Sequence, residues 1–197
     1  MIVDKPFSQA CENNKGPILK VLAPLLRDYD QVLEIGSGTG QHGVYFAQAL
    51  PHVQWLASDR SINHAGILSW QQDAQLENLH PPMLLDLNDA WPIESVPVIY
   101  SANTLHIVSK ALVERFFAGV KKHLRKNGLL VIYGPFNYAG QFTSDSNAAF
   151  HQHLQQRDPL SGIRDSEWIS ELARQSELSL QADHAMPANN RLLIFKR

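Results

Sequence analysis

The sequence predicts a three-layer α/β sandwich built on a seven-stranded, mostly parallel sheet with one reversed strand. Short apolar runs alternate with longer amphipathic stretches, which is typical of a sheet covered by helices on both faces. Residues 96–100 and 129–132 are almost wholly apolar, as strands buried on both faces require. The last two predicted strands have no helix between them, so we expect an antiparallel hairpin at the sheet edge.

The predicted elements follow one another in the order expected of such a sandwich, and some carry local end signals. Asn13 or Asn14 is placed to cap the first helix before Pro17, and Asn127-Gly128 is a common signal for the end of the fourth. The predicted helices cover residues 17–28, 40–50, 61–76, 109–126, 145–157 and 165–176. The predicted strands cover residues 31–35, 53–58, 83–86, 96–101, 129–133, 178–182 and 192–196.

Length and composition predict one domain, residues 1–197, in the cytoplasm. A chain of 197 residues with 44% hydrophobic residues suits one sizeable core. The single cysteine, Cys11, cannot form an internal disulfide, and residues 1–6 lack the basic start and apolar run of a secretory signal. No stretch approaches the roughly 20 apolar residues that span a bilayer, so no membrane partner is expected.

The charge balance argues against nucleic acid as a partner. The chain has 17 basic and 19 acidic residues and a net charge of −2. A protein that holds a phosphate backbone usually carries an excess of Lys and Arg on one face. The densest basic run, residues 121–126, lies at the end of a predicted helix, where cations complement the helix dipole.

The strongest signal is the segment Val32-Leu33-Glu34-Ile35-Gly36-Ser37-Gly38-Thr39-Gly40, in which a strand ends, three glycines alternate and a helix begins. Glycines at such a turn permit positive φ and let a ligand approach the backbone closely. Asp59 follows at the end of the second strand, where a carboxylate can accept hydrogen bonds from both hydroxyls of a ribose. Ligands of open sheets bind at the carboxyl ends of the strands, where Asp86, Ser101 and Tyr133 also fall.

The glycine spacing separates two classes of ligand. A dinucleotide-binding loop follows G-x-G-x-x-G because pyrophosphate sits on the helix N-terminus, and Gln41 stands here in place of the third glycine. The observed spacing is G-x-G-x-G, and Glu34 before it would repel a phosphate but attract the amino group of a methionine moiety. A tight turn with no ligand is the remaining alternative, although a turn alone does not need three glycines and a placed acid.

These motifs resemble those of class I S-adenosylmethionine (SAM) methyltransferases over nearly the whole chain, which implies their Rossmann-like fold. Residues 34–40 match the family's first motif, Asp59 its ribose-binding acid, and Asp86-Leu87 the loop that usually contacts adenine. The terminal strand pair matches its reversed seventh strand. More narrowly, the chain resembles an uncharacterised methyltransferase-like family, DUF938, with bacterial and animal members and no known substrate. The segments that carry this resemblance are Phe7-Ser8-Gln9-Ala10-Cys11-Glu12-Asn13-Asn14-Lys15, Gly36-Ser37-Gly38-Thr39-Gly40-Gln41-His42 and Ser101-Ala102-Asn103-Thr104-Leu105-His106-Ile107.

The resemblance implies SAM as the cofactor and assigns residues to it. Residues 1–30 would form a helical cap over the cofactor site, and Lys15 would pair with the cofactor's carboxylate. The residues expected to bind the cofactor are Asn14, Lys15, Glu34, Gly36, Ser37, Gly38, Gly40, His42, Asp59, Asp86, Leu87, Ser101 and Asn103.

Two residues after the fourth strand are candidates for catalysis, because methyl donor and acceptor should meet there. Asn103 could hydrogen-bond the cofactor or the substrate. His106 could be a general base, because its ordinary pKa lies near neutrality; alternatively, it packs on the following helix. Thr104 follows Asn103, whereas enzymes that methylate exocyclic amines of bases have Pro-Pro-Tyr there, so base methylation loses support.

The aromatic residues after the fifth strand and the nine histidines are two further groups with a possible role at the site. The aromatic residues Phe136, Tyr138 and Phe142 lie in a long loop after the fifth strand, where they form either a lid over the site or ordinary packing. None of the nine histidines has the spacing of a zinc site, so no metal is expected.

Together these features predict methyl transfer from SAM to an unidentified acceptor, and the absence of a nucleic-acid-binding appendage favours a small molecule. A protein acceptor stays open, as does the oligomeric state. Two alternatives remain: a SAM-binding module without catalysis that acts as a sensor or partner subunit, and, less favoured by the glycine spacing, an NAD-type oxidoreductase.

Overall fold

The computed structural model describes residues 5–197, and in that range the chain forms six α-helices and nine β-strands. The helices are α1 Gln9–Leu25, α2 Gln41–Ala49, α3 Ser61–Ala74, α4 Lys110–His123, α5 Asp145–Arg157 and α6 Ser166–Gln175. The strands are β1 Gln31–Ile35, β2 Gln54–Asp59, β3 Leu79–Leu84, β4 Val96–Ala102, β5 Leu124–Gly134, β6 Phe136–Asn137, β7 Arg164–Asp165, β8 Ser179–Met186 and β9 Asn190–Lys196.

Residues 1–4 lie outside the described range. These four residues are part of the predicted domain 1–197 and of the predicted helical cap 1–30. They are also part of residues 1–6, from which we expect no secretory signal. Among the residues that the structure describes, no helix combines the length and the apolar character needed to cross a bilayer.

Seven strands form one sheet in the order β3-β2-β1-β4-β5-β9-β8. Strand β9 runs antiparallel to both of its neighbours, β5 and β8. The other four neighbouring pairs, β3–β2, β2–β1, β1–β4 and β4–β5, are parallel. The predicted seven-stranded sheet with one reversed strand is therefore confirmed, as is the terminal hairpin at the sheet edge. The short strands β6 and β7 pair separately and were not predicted.

Two hydrophobic clusters cover the two faces of the sheet and produce the three layers. Successive residues of β1 point to opposite faces, so Val32 joins one cluster and Leu33 the other. The cluster around Val32 includes Ile18 of α1 and Phe46 of α2, whereas the cluster around Leu33 includes Phe116 of α4. Both faces of the central strands are thus buried, which explains their continuous apolar sequence.

Helix α1 begins at Gln9, eight residues before the predicted start at residue 17. Its N-cap is Ser8, whose side chain accepts a hydrogen bond from the amide of Cys11, so the expectation that Asn13 or Asn14 caps the helix is wrong. Pro17 lies inside the helix and removes only the bond to the carbonyl of Asn13, an exposed residue whose carbonyl water can reach. The polar residues 12–15 therefore lie on the helix rather than before it.

Helix α4 ends at His123, so the predicted stop at Asn127-Gly128 is wrong. The chain is already extended at Leu124, which pairs with Val96 of β4. The pairing shifts before it resumes between Val98 and Leu129, so Asn127-Gly128 lies in an irregular turn within β5. The basic run does supply the last turn of α4, with Lys121, Lys122 and His123.

Two edge elements also extend further than predicted. Strand β3 runs from Leu79 to Leu84 rather than over residues 83–86, so it begins four residues earlier, includes Pro81 and Pro82, and ends two residues earlier than predicted. Prolines are tolerated there because β3 pairs only with β2 among the described strands, so their missing N–H groups need no partner strand. Strand β8 continues to Met186, four residues beyond its predicted end, and a short 3₁₀ turn, Pro187–Asn189, joins it to β9.

The close packing of α4 on Trp91 provides a stability test. A Cβ atom at Gly119 would overlap the indole ring of Trp91, which is buried. We expect Gly119→Ala to lower the free energy of unfolding by about 1–3 kcal/mol through overpacking. The matched control is Gly16→Ala in α1, where the nearest atom, Oη of Tyr45, lies 3.9 Å from the new Cβ. That change should alter stability by less than about 1 kcal/mol, because the helix preference of alanine is opposed by the contact of its Cβ with the ring of Pro17, the next residue. Urea denaturation measures both, and a Gly119→Ala protein as stable as the wild type would contradict this packing.

Candidate functional site

The loop between β1 and α2 exposes main chain at its middle glycine. Gly36, Gly38 and Gly40 all have positive φ, at 77°, 57° and 88°. A Cβ at Gly36 would lie 2.5 Å from Oγ1 of Thr104, and one at Gly40 would lie 3.0 Å from Cα of Ile67, so neighbouring atoms fill both places. At Gly38 the nearest such atom is 4.0 Å away. The loop therefore presents bare backbone beside open space at Gly38.

Asp59, at the end of β2, holds this part of the loop. Its Oδ2 accepts a hydrogen bond of 2.7 Å from the amide of Gly38. Its Oδ1 accepts from the amide of Arg60 at 2.7 Å and from Nδ2 of Asn63 at 2.9 Å. Each carboxylate oxygen has two lone pairs, so Oδ2 can accept one further donor. The structure places Asp59 where the sequence predicted, and its contact with a ribose stays a prediction.

Glu34 lies beneath α2 and supports the loop from inside. It is only 1% exposed, and its Oε2 accepts hydrogen bonds of 3.0 Å from Oγ of Ser37 and from Nε1 of Trp55. Burial raises the pKa of Glu34 to about 7, although these two hydrogen bonds oppose the shift. The expected attraction of Glu34 for an amino group stays a prediction, since the contacts seen here are all within the protein.

Gln41 joins α1 to the glycine loop. Its Nε2 donates to Oε1 of Glu12 at 2.6 Å, and its Oε1 accepts from the amide of Ser8 at 2.6 Å and from Oγ1 of Thr39 at 3.0 Å. The other oxygen of Glu12 accepts from Nζ of Lys15 at 2.5 Å, and that hydrogen bond lowers the pKa of Glu12. Lys15 is thus engaged within α1, and it would have to leave Glu12 to pair with a cofactor's carboxylate.

His42 and Asn14 form a second buried link between α1 and α2. Nε2 of His42 lies 2.6 Å from Oδ1 of Asn14, and Nδ1 lies 3.5 Å from Oη of Tyr100. Burial lowers the pKa of His42 to about 4, so the ring is neutral near pH 7. A proton on Nε2 lets the ring donate to Oδ1 of Asn14, which can only accept. Here His42 joins two helices, and its expected contact with the cofactor stays a prediction.

The remaining predicted cofactor residues lie at the carboxyl ends of the strands, on the same side as the glycine loop. Oγ of Ser101 donates to the carbonyl of Ile35 at 2.8 Å, which fixes the end of β4 beside the end of β1. The loop after β3 is bound to β2, because the amide of Leu85 donates to the carbonyl of Asp59 at 3.0 Å. Asp86 and Leu87 follow in that loop and are half-buried.

The structure separates the two catalytic candidates. Asn103 has a φ of 56°, in the left-handed region, and its amide donates to the carbonyl of Tyr133 at 2.9 Å. His106 is buried behind Phe150, with 5.5 Å between the ring centroids. Burial, with a smaller contribution from the Arg164 guanidinium, lowers the pKa of His106 to about 4. A neutral ring with so low a pKa is a weak base near pH 7, and the removal of a proton by His106 stays a prediction.

A cavity of about 330 Å³ lies beyond the carboxyl ends of β4 and β5. Its wall contains no Asp, Glu, Lys or Arg side chain. Within residues 5–197, no group of three or more His, Cys, Asp or Glu side chains is arranged to hold a metal ion. The lining residues are Ala10, Asn13, Asn14, Asn103, Tyr133, Pro135, Ser146, Asn147, Phe150, Pro187, Ala188 and Asn190.

The cavity combines residues that the sequence placed at the site with others that it did not. Asn14, Asn103 and Tyr133 were expected at this edge of the sheet. The lining residues from α5 and from the turn before β9 were missed, because they lie far along the chain in segments without a recognisable motif. Ser146, Asn147 and Asn190 are the polar residues among them.

The aromatic residues after β5 have different environments. Phe136 is buried in the core, and Oη of Tyr138 donates to Oδ2 of Asp183 on β8 at 2.7 Å. Phe142 is 40% exposed and lies against the ring of His151, with 5.1 Å between the centroids. Two of the three therefore show ordinary packing, and none of them lines the cavity.

Comparison with known proteins links this fold to methyltransferases. A family model described as "Protein of unknown function (DUF938)" matches residues 5–197. An O-methyltransferase family protein from Burkholderia thailandensis superimposes with a TM-score of 0.83 at 15% identity, covering 93% of this chain and 56% of that one. The SAM-dependent methyltransferase SibL gives a TM-score of 0.80 at 17% identity, covering 95% and 55%.

A third similar structure is an O-methyltransferase family 2 protein from Planctomyces limnophilus in complex with apigenin. It superimposes with a TM-score of 0.75 at 14% identity, and the match covers 94% of this chain and 62% of that one. The chain thus spans little more than half the length of these solved structures. At these identities the likeness shows a shared Rossmann-like methyltransferase fold.

The raised pKa of Glu34 predicts a pH dependence of stability. The folded state binds this proton more tightly than the unfolded state, whose carboxyl has the ordinary pKa of 4.5. The resulting stabilisation is complete below pH 4.5 and is lost as pH rises through about 7. We expect Glu34→Gln, which removes the titration, to gain stability over the wild type by up to about 3 kcal/mol between pH 4.5 and 8.

Guanidinium denaturation of both proteins across that range, without added ligand, measures this difference. Subtracting one curve from the other removes the opposite contribution of the buried histidines, which both proteins share. A difference that does not change with pH would contradict a raised pKa for Glu34.

Proposed function

We propose that this chain, which belongs to the family described as "Protein of unknown function (DUF938)", is a methyltransferase that uses SAM. The observation that carries the proposal is the bare main chain at Gly38, which faces open space beside a carboxylate, that of Asp59. A ligand with a ribose and a positively charged group fits this combination of backbone access and acidic side chains.

The charges around the loop favour a cation over a phosphate. Asp59 and Asp86 lie at or beside the carboxyl ends of β2 and β3, whereas the buried Glu34 of β1, with a pKa of about 7, is only partly charged near neutral pH. The nearby cation Lys15 is paired with Glu12. The third glycine of a dinucleotide loop, which allows the helix to pack closely on the strand, is replaced by Gln41, whose buried side chain binds α1. The residues present therefore fit SAM better than NAD.

SAM would supply an activated methyl group, and the chain would contribute binding and orientation. Gly38 allows close approach to the backbone, and Asp59 is placed to accept hydrogen bonds from ribose hydroxyls. Asn103, at the border between the loop region and the cavity, is the residue we propose to contact the acceptor. Orienting two reactants in this way can account for much of the rate enhancement of a displacement reaction.

His106 is assigned a supporting position in this proposal. The imidazole ring of His106 lies against Phe150. Phe150 lines the cavity, whereas His106 does not. The solved neighbours described as O-methyltransferases support oxygen as the acceptor atom. A small-molecule acceptor, as expected from the sequence, is part of the same proposal.

Gly38→Ala tests the proposed cofactor site. The new methyl group would occupy the open space at Gly38, so we expect the affinity for S-adenosylhomocysteine (SAH) to fall at least about tenfold, a loss of about 1.4 kcal/mol. The matched control is Gly140→Ala, at a glycine that also has positive φ, 71°, and has no atom within 4 Å of the new Cβ. Both changes carry the same kind of backbone strain, but only the first lies at the loop.

Titration calorimetry of the wild type and both variants with SAM, SAH and NAD provides the measurement. We expect the wild type to bind SAM and SAH and not NAD. Binding of NAD alone, or equal SAH affinity in all three proteins, would refute the proposal.

Asp59→Asn tests the carboxylate separately. We expect at least about fivefold weaker binding of SAH, or about 1 kcal/mol, because charge-assisted hydrogen bonds to the ribose are lost. Asp28→Asn is the control, since Asp28 is exposed and precedes β1 at the opposite end of the sheet. Unchanged SAH affinity in a folded Asp59→Asn protein would remove Asp59 from the cofactor site.

A further inference from the structure

The cavity beyond β4 and β5 has a wall chemistry that restricts what it can bind. We propose that it is the acceptor site and that it takes a small, uncharged alcohol or phenol whose hydroxyl group donates a hydrogen bond to Oδ1 of Asn147. This inference rests on the proposed function, because it identifies the class of molecule that receives the methyl group. In that transfer the new O–CH3 bond forms as the S–CH3 bond of SAM breaks, and the hydroxyl proton leaves to solvent water.

The position of the cavity connects it to the loop. Asn103 and Tyr133 follow the ends of β4 and β5, and their main chains are joined by the hydrogen bond between the Asn103 amide and the Tyr133 carbonyl. Asn14 contributes to the wall from α1, the helix that Gln41 and His42 bind to the glycine loop. The cavity is thus built on the same elements as the proposed cofactor site.

The wall is polar but carries no formal charge near neutral pH. Its polar side chains are five asparagines, one serine and Tyr133, whose pKa is raised by burial, so the phenol keeps its proton. Arg164, which is buried, is engaged elsewhere and donates to the carbonyls of Leu105, Val108 and Leu160. A charged acceptor would lose its hydration here without gaining a counter-ion, which makes binding costly.

Asn147 presents a fixed hydrogen-bond acceptor. Its Nδ2 donates to the carbonyl of Asn189 at 3.1 Å and to Oγ1 of Thr143 at 2.8 Å. Because a backbone carbonyl can only accept, the amide nitrogen must face Asn189, and the two ends of the amide cannot exchange. Within residues 5–197 no group donates to Oδ1 of Asn147, and the atom is not sealed from solvent, so a ligand can reach it. A ligand hydroxyl can satisfy this oxygen, whereas a ligand without a donor leaves it unpaired.

The rest of the wall limits the size and shape of the occupant. Pro135, Phe150 and Pro187 supply apolar surface suited to a ring or a short hydrocarbon chain. The volume of about 330 Å³ is near the lower end for small-molecule sites. Apolar faces around a few fixed polar atoms are typical of sites that orient a small ligand.

Four matched probes test this inference on the protein saturated with SAH. 4-Ethylphenol is neutral and has one donor, 4-ethylanisole lacks the donor, tyramine carries a cation, and 4-hydroxyphenylacetate carries an anion. We expect 4-ethylphenol to bind at least about tenfold more tightly than each of the others, as measured by calorimetry at pH 7. Equal binding of an ion or of the anisole, or no binding of any probe to the SAH complex, would overturn the inference.

Variants of Asn147 test whether this residue causes the preference for 4-ethylphenol. Asn147→Leu should weaken 4-ethylphenol about tenfold and remove its advantage over 4-ethylanisole, while SAH affinity stays unchanged. Gln152→Leu, at an exposed position on the same helix, is the control. Asn147→Asp keeps the acceptor oxygen and adds a negative charge, so it should shift the preference from 4-ethylphenol to tyramine.

The outcomes separate this inference from the proposed function. If SAH binds and the probes show no preference for the neutral phenol, the acceptor inference fails and the methyltransferase proposal stands. If SAH itself does not bind, the proposed function fails, and the acceptor inference fails with it.

Discussion

The hydrogen bond from the amide of Gly38 to Oδ2 of Asp59 holds the loop on which the proposed site depends. Two further amides, those of Gly36 and Ser37, donate to the carbonyl of Ser58, each at 3.0 Å. The end of β2 therefore fixes three consecutive positions of the loop and keeps the main chain at Gly38 open to a ligand. A rigid binding surface of this kind loses little conformational entropy when a ligand binds.

Helix α1 links this loop to the cavity. Gln41 binds the start of α1 through Ser8 and Glu12, and His42 binds it again through Asn14. Asn14 also lines the cavity, so its side chain serves both regions. The two acidic residues that contact the loop differ in their surroundings. Glu34 of β1 is enclosed by α2, whereas Asp59 lies at the carboxyl end of β2. A change that loosens α1 should therefore affect both the proposed cofactor and acceptor sites.

Local sequence signals predicted the loop and its flanking elements well, because Val32 to Gly40 contains its own strand, turn and helix start. They failed where tertiary contacts decide the structure. Ser8 caps α1 although Pro17 suggests a later start, and Asn127-Gly128 falls within β5 because Leu124 already pairs with β4. The cavity could not be predicted in full, since Asn147 reaches it from a distant helix.

A crystal structure of the protein with SAH tests the proposed site most directly. We expect the ligand to lie against the main chain at Gly38, with its ribose hydroxyls at Asp59 and its sulfur directed toward Asn103 and the cavity. A complex in which SAH binds elsewhere, or in which the space at Gly38 stays empty at saturating SAH, would contradict this expectation.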